Sequence, residues 1–210
     1  MAHGFLDIAT TPSVKAAQIA NGSADLWGSA KVIKERNRFT AAETEFIGAC
    51  NSFYMATVSE SEWPYVQHRG GPAGFLHVID DKTLAFLDFR GNRQYISLGN
   101  IAANDRAAVL IMDYPNRRRL KIYARIEVKE LKVDPQLAAT LTLATYRAKA
   151  ERAFLLHLEA FDWNCPQHIT PRFTEPEIEA ALAPVRARLA QLDAENRMLR
   201  DKLTGENAKV

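Results

Sequence analysis

Two clusters join arginine to glycine near the middle of this chain, Arg69-Gly70-Gly71 and Arg90-Gly91-Asn92-Arg93. Arginine presents a planar fork of N–H donors that suits phosphate, and glycine lets a backbone come close to a ligand. The clusters stand about one hairpin apart, with the hydroxyl of Ser97 nearby, so a sheet carrying both is expected to grip a phosphorylated cofactor. Cys165-Pro166-Gln167-His168 offers a second chemistry. With no second Cys/His pair at ligand spacing, zinc is not expected there, and a thiol with a histidine base or an ordinary packed loop are the alternatives. Arg117-Arg118-Arg119 with Lys121 is a basic run at a strand start. It reads as a charged outer face, a phosphate clamp or a nucleic-acid patch. The net charge of only +2 weighs against the last.

These residues need elements to position them. Thr40 with Glu43 forms a capping box, and the following run to Phe53 places Phe46, Ile47 and Cys50 on one helical face. From Phe53 the period becomes two. FYMATVS, YVQHR, FLHVI, TLAFLDF, RAAVLIMDY and RRRLKIYARIEVKEL read as six strands separated by turn residues. RAAVLIMDY is apolar enough to be buried on both faces. Closely spaced short strands of this kind favour a small antiparallel barrel. Val14 to Ala20 reads as a short helix ended by Asn21-Gly22-Ser23, and residues 134–160 read as helical after Asp134-Pro135.

The last segment has a different character. Ile178, Leu182, Val185, Leu189, Leu192, Asn196, Leu199 and Leu203 follow at spacings of 4, 3, 4, 3, 4, 3 and 4. Ile178, Val185, Leu192 and Leu199 take d of a heptad, and Leu182, Leu189, Asn196 and Leu203 take a. One asparagine at a favours a parallel two-stranded coiled coil. Arg188 and Glu195 at g would face Asp193 and Arg200 at e of the partner. Pro184 is the weak point, so the coil is kinked there or begins near Val185. Three regions follow: an N-terminal extension (1–38), a barrel domain with closing helix and loop (39–174) and a coiled-coil dimerisation helix (175–210).

Composition sets outer limits. Of the 210 residues 47% are hydrophobic and 25% charged, which is ordinary for a globular protein. Two cysteines, Cys50 and Cys165, provide no disulfide framework, and a reducing cytoplasm is the expected compartment. No apolar run approaches the ~20 residues of a membrane span. The first residues lack the basic-then-apolar order of a secretory signal.

The central segment resembles the pyridoxamine 5'-phosphate oxidase-like family of flavin-binding split barrels, over roughly Glu43 to Leu131. WPYVQHRGGP, LAFLDFRGNRQYISLGN, NDRAAVLIMDYPNRRRLKI and NCPQHITPR carry the resemblance. It implies a mainly β fold with flanking helices, a six-stranded Greek-key split barrel that dimerises with flavin mononucleotide (FMN) at the interface. By family position Val66, Gln67, His68 and Arg69 would lie along the ring and ribityl chain. Asp88, Phe89, Arg90, Asn92, Arg93, Gln94 and Ser97 match the stretch that grips the phosphate. Trp163, Asn164, Gln167 and His168 would form a loop over the flavin that shapes a substrate pocket.

Two departures limit what carries over. The arginine-rich motif that binds the vitamin phosphate is missing, with the coiled coil in its place, and Gly74-Phe75-Leu76 stands where the family has a lysine. The resemblance therefore implies the flavin and leaves the substrate open. The expected function is an FMN-dependent oxidoreductase on a small molecule, with Arg69 stabilising negative charge on the ring and His68 or His168 as proton donors. The alternative is a non-enzymatic flavin-storing or sensing dimer that docks a partner through its coil. Related split barrels hold haem or deazaflavin, so these are the competing ligands. No membrane or nucleic-acid partner is expected.

Overall fold

Alternation of apolar and polar side chains organises the sheet on which the clusters sit. The computed structural model describes residues 4–28, 36–144, 146–163 and 165–207. The chain divides into two units, Met1–Ile169 and Thr170–Val210. The first opens with helices α1 (Phe5–Ala9), α2 (Pro12–Ala20), α3 (Ala24–Gly28) and α4 (Ala41–Ala49). Strands β1 (Ser52–Val58), β2 (Pro64–Gly70), β3 (His77–Asp80) and β4 (Thr83–Phe89) follow, then helix α5 (Ile96–Ala103). The unit is completed by β5 (Arg106–Asp113), β6 (Arg118–Glu130), α6 (Pro135–Leu141) and β7 (Ala150–Trp163). The seven strands form one antiparallel sheet in the order β2-β1-β5-β6-β7-β4-β3. No helix among the described residues is long and apolar enough to cross a membrane.

The inward rows follow period two. Phe53 and Met55 on β1, Val109 and Ile111 on β5, and Leu120 and Ile122 on β6 are buried in one core with Phe86 and Phe154. The sheet must curl, because β2 and β4 stand first and sixth in the order and yet Arg69 reaches Asp88 at 2.7 Å. Phe53 stacks on Phe75 and meets Phe86 edge-on, and Asn100 of α5 donates to Thr57 at 3.0 Å. Side chains, and not a backbone ladder, thus bring the two ends together, and the architecture is a split barrel with flanking helices.

Two expectations are corrected. Residues 150–163 are not helical: they form β7, a seventh strand beyond the six expected, paired to both β6 and β4. Its alanine, leucine and glutamate favour helix in isolation, but propensity is weak against burial in the middle of a sheet. A bulge between Tyr123 and Ala124 shifts the β6–β7 register, which further blurs the period. The strand buried on both faces is β4, not β5. Ala85 and Leu87 on its outer side pack with Ala153, Leu155 and Leu141 of α6, while β5 alternates between buried and half-buried residues.

The N-terminal extension belongs to the first unit. Phe5 stacks on Tyr123 with ring centroids 4.5 Å apart and planes at 5°. At α4 the capping box forms as expected, with Glu43 accepting from the Thr40 backbone and hydroxyl. The second unit contains α7 (Glu175–Asn207), which runs unbroken through Pro184. The helix therefore starts about two and a half turns before Pro184.

Candidate functional site

Along β2 the side chains of Tyr65, Gln67 and Arg69 fall on one side of the strand and those of Val66 and His68 on the other. The first three line a cleft of about 210 Å³, with Asp88, Phe89, Asn92, Arg93, Gln94 and Ser97 on its other walls. Most of the proposed cofactor-binding residues therefore come together in space. Val66 and His68 do not line the cleft: Val66 is exposed, and His68 packs edge-on against Tyr54 at 5.5 Å on the outer face. Arg90 also lies outside it, 3.8 Å from Glu151.

Charge is arranged in a chain. Asp88 is buried at the end of β4, where one carboxylate oxygen accepts from Arg69 and the other from Arg152, each at 2.7 Å. Arg152 continues to Glu151 at 3.3 Å, and Glu151 to Arg90. Tyr95 donates its hydroxyl proton to Glu151 at 3.3 Å, and its ring lies under the Arg152 guanidinium. Three arginines against two carboxylates leave one excess positive charge, and Arg93 adds another at the rim. Arg152 and Glu151 escaped the sequence reading because they lie on the strand taken for helix. Their only signal was an adjacent pair of opposite charges.

The arginine at the inner end has an unusual setting. The Arg69 guanidinium sits over the rings of Phe86 and Phe154, at 5.7 and 5.5 Å, and its buried Nε has no hydrogen-bond partner. A buried guanidinium N–H without an acceptor is costly. At the outer end α5 begins at Ile96 without any side-chain cap, because Tyr95 occupies the cap position in a left-handed conformation. Its first-turn N–H groups are thus left for another acceptor. Arg93 is left-handed too, and Asn92 accepts from the Gln94 backbone at 3.1 Å, holding the turn. Ser97 donates to Gln67 at 2.8 Å and ties α5 to β2.

The glycines divide by role. A Cβ on Gly71 would lie 2.8 Å from the Phe75 side chain, so that glycine serves packing, whereas one on Gly91 would meet nothing within 4 Å. Arg117 takes a left-handed turn conformation, Arg118 covers the rings of Phe46 and Trp163, and Lys121 pairs with Asp162 at 3.2 Å. The basic run therefore decorates the start of β6 away from the cleft.

The residues proposed for a substrate pocket lie elsewhere in the chain. Trp163 ends β7, about 35 Å along the strand from Arg152. Its indole N–H donates to buried Glu43 at 2.7 Å, and its ring meets Phe46 edge-on. Burial pushes the Glu43 carboxyl up, but the hydrogen bonds from the Thr40 hydroxyl, Trp163 and the Thr40 backbone outweigh it and hold the pKa below 4.5. Gln167 and His168 are exposed, and Asn164 lies outside the described residues. Buried Cys50 has its thiol pushed up to about 11, by burial and then by Asp113, against the pull of Arg118. Among the described residues no group of three His, Cys, Asp or Glu side chains is placed to hold a metal ion.

Comparison with known proteins completes the description. A candidate pyridoxamine 5'-phosphate oxidase from Lactobacillus delbrueckii is 24% identical, with 60% of this chain and 94% of that one covered and a TM-score of 0.46. An FMN-binding protein from Syntrophomonas wolfei is 13% identical, covering 73% and 95% at a TM-score of 0.45. A FAD-binding protein from Mesorhizobium loti is 14% identical, covering 60% and 94% at a TM-score of 0.44. No curated protein matches the chain. The family model described as pyridoxamine 5'-phosphate oxidase matches residues 39–160, more than half of the sequence and the whole of the sheet but the end of β7, and the chain belongs to that family.

Proposed function

We propose that this chain is a flavoprotein that holds FMN in the cleft between β2, β4 and α5 and serves as a flavin-dependent oxidoreductase. The observation that carries the reading is Arg69, a buried cation fixed by Asp88, with one N–H left over, on the wall of a cleft of net positive charge. A phosphorylated ring system with carbonyl acceptors fits that donor set: carbonyl oxygen for Arg69, phosphate for the uncapped start of α5 and Arg93.

Each wall has a separate task. Asp88, clamped between Arg69 and Arg152, keeps the Arg69 fork from swinging out. Arg69 favours negative charge on whatever ring lies beside it, because the phenyl rings around it exclude water and strengthen its field. Gln67 and Ser97 present an amide and a hydroxyl to the middle of the cleft. Bound flavin supplies the electron-accepting chemistry, and the protein supplies orientation and electrostatics.

A second chain is part of the proposal. The cleft of about 210 Å³ is below the ~300–1,000 Å³ of small-molecule sites, so one copy forms part of a site. Exposed Val66, on the face of edge strand β2 turned away from the cleft, and exposed Trp63 just before that strand provide apolar surface for a homodimer contact. The substrate class remains a small molecule that reaches the ring.

The experiment is an absorbance spectrum of the purified chain before and after adding FMN and desalting. Retained flavin bands, released by acid as FMN and not FAD, support the reading. A colourless protein that cannot be reconstituted with either flavin overturns it.

A further inference from the structure

Every apolar residue of the seam from Ile178 to Leu203 is exposed on α7, from 37% at Leu192 to 62% at Leu203. The helix has 33 residues, about 50 Å of length, and the seam continues on both sides of Pro184. Pro184 falls at position c, off the seam, so its ring does not interrupt the apolar face. We propose that α7 is covered by α7 of a second copy of this chain, parallel and in register, with Asn196 meeting Asn196. The proposal does not rest on the flavin reading.

A repeat of 3.5 residues selects another helix of the same repeat as the cover, because only such a partner keeps the seam in contact along its length. The flanking charges select this same chain. In the parallel register Arg188 faces the partner's Asp193, and Glu195 faces the partner's Arg200.

Charge alone does not decide direction. An antiparallel register that sets Asn196 against Val185 also brings Arg188 to Glu195, Arg186 to Asp193 and Glu179 to Arg200, all of opposite sign. Two of those three exchange an existing contact, because Arg186 already binds Glu179 on its own helix. What remains are solvated pairs, each worth little. Against them stands the amide. Antiparallel pairing would press both Asn196 side chains onto valine, stripped of water and without a partner, whereas parallel pairing lets the two amides bond each other. The amide outweighs the surface pairs, and the direction is parallel.

The test uses the full chain with Cys165→Ser, so that buried Cys50 is the one native thiol. Leu203→Cys, oxidised mildly, is expected to run as a covalent dimer, and the added pair Leu189→Asp and Leu192→Asp is expected to abolish that product. A Leu203→Cys protein that stays monomeric, or that cross-links only when co-expressed with an Ile178→Cys chain, overturns the parallel register. A cross-link that survives the two aspartates overturns the seam as the contact. With Asn196→Leu, the cross-link between co-expressed Ile178→Cys and Leu203→Cys chains is expected to appear, and its absence would overturn the role given to the amide. Circular dichroism of each variant verifies that the helix content is retained.

Discussion

Replacing Asp88 with asparagine changes one charge and almost no volume, which isolates the electrostatics of the cleft. The Asp88 side chain is 10% exposed, and its partners Arg69 and Arg152 are 14% and 17% exposed. Breaking a buried ion pair by removing one partner costs about 3–5 kcal/mol, because the remaining charge stays out of water. Here two guanidinium groups would be left facing one neutral amide, whose oxygen accepts from one while its NH2 opposes the other. The retained acceptor puts the expected loss near the lower end, about 3 kcal/mol. With a urea m-value of about 2 kcal/mol/M, the unfolding midpoint falls by about 1.5 M. Asp105→Asn is the control. Asp105 pairs with Arg125 at 2.8 Å, but both side chains are nearly half exposed, so the loss should be under about 1 kcal/mol. Urea titrations followed by tryptophan fluorescence measure both. An Asp88→Asn protein within about 0.5 kcal/mol of the parent, or no less stable than Asp105→Asn, would refute the reasoning that the carboxylate is the keystone of the arginine chain.

Other consequences are as concrete. Gly71→Ala should cost about 1–3 kcal/mol, since its methyl would overlap Phe75, whereas Gly91→Ala should be close to neutral; thermal melts of the two decide. The folded-state pKa of Glu43 lies below its ordinary 4.5, so its contribution is complete above that value and is lost as pH falls through the folded pKa. Glu43→Gln should therefore be less stable than the parent at pH 7, and the gap should narrow in melts taken towards pH 3. With the Cys50 thiol pushed up to about 11 and buried, only Cys165 should react rapidly with a thiol reagent at pH 8. Fast modification of two thiols in folded protein would contradict that burial.

How far the residues revealed the fold depends on the range of the interaction involved. The Thr40–Glu43 box and the alternation of β1, β2 and β6 are local patterns and were legible. So was a long helix at α7. What escaped notice depends on partners far along the chain. β7 owes its form to β6 and β4, and Asp88 meets Arg152 at a separation of 64 residues. Trp163, expected over a flavin, finds Glu43 at a separation of 120 residues. Most of the residues singled out by type do line one cleft, but strand alternation sends His68 and Val66 to the face opposite Arg69. Gly71 looked like a place for close approach of a ligand and is instead occupied by Phe75.

The central claim is that the cleft reads both the ring and the phosphate of a flavin mononucleotide. Titrating the purified chain, freed of any bound flavin, with FMN and with riboflavin tests it most directly, using quenching of flavin fluorescence. Two charge-assisted hydrogen bonds to phosphate at ~1.5 kcal/mol each predict binding of FMN at least about 100-fold tighter than riboflavin. The account also predicts that both affinities fall in Arg69→Ala. Equal affinity for the two flavins, or FMN binding unaffected by loss of Arg69, would contradict it.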